Sequence, residues 1–208
     1  MLSGTGTWAG ALVVLFGAVR GIQNYLKQKQ VDREFGAAEQ ILTAAYRSRD
    51  ALEGIRPRIV EGSELAKAED DLREANEDFD SFSKGEQQQY IQRRVLYRRA
   101  EFFKDDFTAL FAAMPLAKIF FGEAAEANLK ELARARQRLF SAVDILPFVT
   151  RGDSPEDIEL ARDLRRTIYG SKDTNGNPDE VTKMIEASVK SLEDKLIPRL
   201  RKSGDIVA

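Results

Sequence analysis

The chain has 208 residues, 43% hydrophobic and 32% charged, which suits one folded domain and excludes an extended disordered tail. A net charge of -2 excludes a global field that would draw in nucleic acid. With no Cys and no His, disulfides, thiolate nucleophiles, zinc–sulfur and iron–sulfur centres and the commonest general base are excluded too.

Ala, Glu, Lys, Arg, Leu and Gln dominate, with 14 Gly and 6 Pro, so the chain reads as all-α. Residues 1–19 carry no charged side chain, and Trp8 to Val19 is an unbroken apolar run. That run alone is short for a membrane span. Its flanks argue for one. Trp8 and Tyr25 stand about 26 Å apart on a helix, as interfacial aromatics do. Arg20, Lys27 and Lys29 follow on the C-terminal side, where Arg20 can snorkel to the inner surface. The positive-inside rule then predicts a single-pass membrane protein, N-terminus out and the remainder in the cytoplasm. A secretory signal fits poorly, because the positive charge lies after the apolar run.

Gly6, Gly10, Gly17 and Gly21 fall within about 60° of one face of that helix. Such a stripe lets two helix backbones approach closely in lipid, and it predicts a homo-oligomer. Residues 1–30 thus read as anchor and basic exit, 31–203 as the bundle and 204–208 as a tail. The exit leads into Val31, Phe35, Ala38, Leu42, Ala45 and Leu52, a heptad-like seam. The anchor either continues into this helix or is joined to it near Gly36.

Gly54, Pro57 and Gly62 punctuate the chain next. From Glu61 to Asp80 there are nine acidic and two basic residues. After Gly85 a basic helix carries Arg93, Arg94, Arg98 and Arg99. The pair reads as an antiparallel hairpin with facing charges. Those arginines could instead contact phosphates or anionic lipid, although near-neutral net charge favours pairing within the chain. This basic helix is expected to run to Met114, and the next from Pro115 to about Pro147. Ser154 and Pro155 open another helix, and Asn177, Pro178, Asp179 and Glu180 open the last. About five helices form the bundle.

Sites for chemistry are few. Glu69, Asp70, Asp71, Glu74, Glu77, Asp78 and Asp80 lack the His that a di-iron bundle requires, so they read as a solvated face. Asp173 to Glu180 starts like a calcium loop, but Pro178 and Met184 stand where Gly and Glu belong. Arg151 to Pro155 reads as a helix-entry turn, and no glycine-rich phosphate loop occurs. No cofactor, metal or catalytic residue is predicted, and the chain does not read as an enzyme.

In its W-x-G-A-L-V-V N-terminus, its RGIQNYLKQKQ exit and its final IEASVKSLEDKLIPRLRK helix, the chain resembles a group of uncharacterised bacterial single-pass membrane proteins with a cytosolic helical domain. The resemblance implies location and fold class only. The expected function is a membrane-tethered interaction or scaffold protein that self-associates, with the bilayer and a further protein as partners and nucleic acid an unlikely one. Two alternatives are an oligomeric membrane-perturbing effector and a soluble bundle that binds a partner through its first helix.

Overall fold

A computed structural model describes residues 5–150 and 154–204, with side chains at Arg20, 25–150 and 154–201. Every regular element there is helical: α1 Thr5–Ile55, α2 Gly62–Ala75, α3 Lys84–Phe102, α4 Lys104–Phe121, α5 Glu123–Val149, α6 Pro155–Tyr169 and α7 Glu180–Gly204, with a 3-10 turn at Phe79–Ser81. The all-α expectation holds, with seven α-helices in place of about five.

α1 is one helix from the apolar N-terminal segment into the core, so of the two alternatives the continuous one holds and no joint forms near Gly36. Gly36 costs helix stability, but the flanking residues are good helix formers and no Pro intervenes. At 51 residues it spans about 76 Å. Tyr25 to Arg33 is exposed throughout, and burial begins at Ala37. From there Ile41, Leu42, Ala45, Leu52 and Ile55 face the core.

α4, α5 and α7 complete the main core with α1, through Leu110, Phe121, Leu129, Leu132, Leu139, Ile185 and Leu192 among others. A smaller core holds the α2–α3 hairpin around Ala68, Phe79, Ile91 and Val95. Charge pairs close the hairpin: Arg94 and Arg98 reach Asp71 at 2.7 and 2.6 Å, and Arg99 reaches Glu64 at 2.7 Å.

Two helix boundaries differ from the sequence expectation. The break falls at Phe103, and Pro115 lies inside α4. Phe103 leaves helical geometry, and its carbonyl accepts the N–H groups of Asp106 and Phe107. The bend lets α3 pack on α2 while α4 packs on α1 and α5. Pro115 is tolerated because it sits on the exposed side of α4, away from the packed core. The second break is Gly122, at φ +82°, a conformation glycine adopts without strain. Pro147 likewise lies inside α5.

No helix among the described residues is long and apolar enough to cross a membrane. The side chains of Trp8, Gly6, Gly10, Gly17, Gly21 and the Trp8–Val19 run lie outside the described residues, as do Arg151 to Asp153 and residues 205–208.

Candidate functional site

Three features concentrate polar or unpartnered groups. The first is buried. Arg56, just past the end of α1, is 5% exposed, and Asp179, just before α7, is 4% exposed. Their side chains meet at 2.7 Å. Arg56 also donates to the Thr167 carbonyl through Nε and Nη2, at 3.1 and 2.8 Å, and to Thr182 Oγ1 at 2.9 Å. Asp179 accepts the N–H groups of Val181 and Thr182 and the Thr182 hydroxyl, and so caps α7. One ion pair therefore ties the C-terminal ends of α1 and α6 to the start of α7. Each guanidinium nitrogen and each carboxylate oxygen in it has a protein partner, which gives it the character of a structural joint. From the sequence, Asp179 is legible as a cap, whereas Arg56 lies in a stretch read only as a break.

The second feature is an open cleft of about 560 Å³ where the end of α1 and the following loop meet α2 and α3. Pro57, Ile59, Val95, Phe102 and Phe103 supply apolar wall, and Lys67, Arg98, Arg99, Glu61 and Glu64 supply charge. Arg99 is held by Glu64 and by the carbonyls of Pro57 and Ile59, at 2.8 and 3.0 Å. Hydrogen bonds from Arg98 and Arg94 hold the Asp71 carboxyl below the usual range, and Arg99 does the same to Glu64. Arg93 pairs with Asp144 at 2.7 Å, and the same Asp144 accepts the Tyr97 hydroxyl at 2.8 Å. All four arginines singled out as anion or lipid contacts thus sit against carboxylates of this chain. An approaching phosphate would compete with those carboxylates.

The third feature is the exposed part of α1. Arg20, Lys27 and Lys29 are exposed, as are Tyr25 and Leu26 at 63% and 58%. The described members of the interface set, Arg20, Tyr25, Lys27 and Lys29, are thus exposed residues of α1 ahead of the core.

The calcium-like loop is fully accounted for by a turn. Asp173 accepts the N–H groups of Asn175 and Asn177 and the Asn177 amide, at 2.8, 2.8 and 3.0 Å. Among the described residues no group of three or more acidic side chains is arranged to hold a metal ion.

No family model, no curated protein and no solved structure matches the chain. The functional reading rests on its own geometry.

Proposed function

We propose that this chain is a membrane-tethered helical interaction module, held by its N-terminal segment in the bacterial inner membrane with the bundle in the cytoplasm. The continuity of α1 carries the proposal. One unbroken helix joins the uncharged apolar segment to the buried face that begins at Ala37, and the exposed turns between them carry Lys27, Lys29 and Arg33. A continuous helix transmits position, so an anchored segment would hold the bundle at a set height above the bilayer. The exposed turns from Tyr25 to Phe35 would supply roughly 15 Å of that height. The basic residues there suit an anionic leaflet.

The experiment is fractionation with protease accessibility on the full chain and on a variant lacking residues 1–30. The full chain is expected in the membrane fraction with its bundle on the cytoplasmic side, and the truncated chain in the soluble fraction. Unchanged membrane association of the truncated chain would overturn the reading. Dye release from liposomes separates it from the membrane-perturbing alternative, since a tether releases none.

A further inference from the structure

One helix face has no partner among the described residues. Between Asp106 and Lys118, α4 has no charged residue. Phe107, Leu110, Ala113 and Ala117 of that stretch face the core, while Thr108, Phe111, Ala112 and Pro115, with Ile119 just beyond it, form an outward ridge. Phe111 is 52% exposed and Ile119 73%. Large apolar side chains grouped in this way on a folded surface mark a contact site.

A groove runs beside this ridge. α1 and α4 enclose about 390 Å³, floored by Ala44, Ala109, Ala113 and Leu116 and rimmed by Glu39. The small floor residues leave room for side chains from outside. Ridge and groove lie next to each other on the same helix pair. A two-fold axis parallel to α4 therefore places the ridge of each copy in the groove of the other, an isologous contact.

Charge selects the same partner. α4 runs antiparallel to α1, with Gly54 against Phe103 at one end. Glu39 lies 15 residues before Gly54, and Lys118 lies 15 residues after Phe103, so both stand about 22 Å from that contact. Glu53 and Lys104 are each one residue from it. The acidic pair on α1 and the basic pair on α4 therefore have the same spacing and the same heights. Glu39 and Lys104 make no ion pair among the described residues, whereas Lys118 pairs within its own chain with Glu126 at 3.8 Å and Glu123 at 4.0 Å, long contacts on an exposed side chain that Glu39 of a second copy would compete for. Across a parallel two-fold, the lysines of one copy meet the glutamates of the other.

We infer that the α1–α4 face is the homodimer surface of this protein, with the α4 ridge of each copy seated in the α1–α4 groove of its partner. The inference deepens the tethered-module reading and rests on it in one respect. A two-fold parallel to α1 sends both N-terminal segments out at the same end, as two chains in one membrane require.

The test uses the full chain in detergent micelles, with light scattering for mass and circular dichroism for fold. Ile119→Asp with Phe111→Asp alters only exposed side chains, so helicity is expected to stay and dimer affinity to fall roughly tenfold or more. Lys118→Glu is expected to weaken the dimer, and Lys118→Glu with Glu39→Lys to restore it. The chain lacks Cys, so a mixture of Glu39→Cys and Lys118→Cys chains is expected to form a disulfide-linked dimer on mild oxidation. A monomeric wild type, or a dimer that survives Ile119→Asp with Phe111→Asp but is lost with Gly10→Leu and Gly17→Leu, overturns the inference. Failure here leaves the variants in the membrane fraction, whereas failure of the tether reading shows in the fractionation of the truncated chain.

Discussion

Arg56 and Asp179 are the two buried charged residues among those described, and they pair with each other. Two charges at 6% and 3% side-chain exposure are stable because each is hydrogen-bonded on several sides. Asp179→Ala removes both the charge partner and the cap of α7. It is expected to cost about 3–5 kcal/mol in denaturant unfolding. The double variant Arg56→Met with Asp179→Ala is expected to recover part of that loss, because no uncompensated charge is left buried. Titration gives a second residue-scale prediction. Asp71 and Glu64 have pKa values lowered in the folded state, so they add stability above the usual carboxylate range. That stability is expected to fade as pH drops through about 4 and below. Thermal unfolding from pH 7 to 3 tests it, and Asp71→Asn should flatten the profile.

At the scale of the element, helix boundaries follow tertiary packing more than local propensity. Pro115 is a sound helix start by propensity, yet it sits inside α4 because the bend at Phe103 already separates two packing partners. The basic residue Arg99 in the last turn of α3, followed six residues later by the acidic first turn of α4 at Asp105 and Asp106, is the signal that marks this boundary. Glycines test the same point. An added Cβ at Gly54 would stand 2.6 Å from the Phe103 ring, whereas at Gly36 it meets nothing within 4 Å. Both lie inside α1. Gly36→Ala is therefore expected to stabilise by up to about 1 kcal/mol. Gly54→Ala is expected to give no gain or a net loss, because Phe103 must shift. Equilibrium unfolding of the two variants separates these outcomes.

At the scale of the whole molecule, the core starts at Ala37 and no buried residue precedes it among those described. A chain lacking residues 1–30 is therefore expected to keep the helicity of the bundle and its cooperative unfolding, measured by circular dichroism. The all-α class, the charged hairpin and the capped starts of α6 and α7 were legible in the sequence, because periodicity, charge blocks and capping residues act over a few neighbours. The continuity of α1 stood as one of two alternatives, and the Arg56–Asp179 contact, the break at Phe103 and the exposed α4 ridge were not legible. Each depends on which faces meet across more than a hundred residues or on how a helix divides its surface among neighbours. A linear pattern shows that α4 is apolar; only packing decides which part of that apolar surface is left outside.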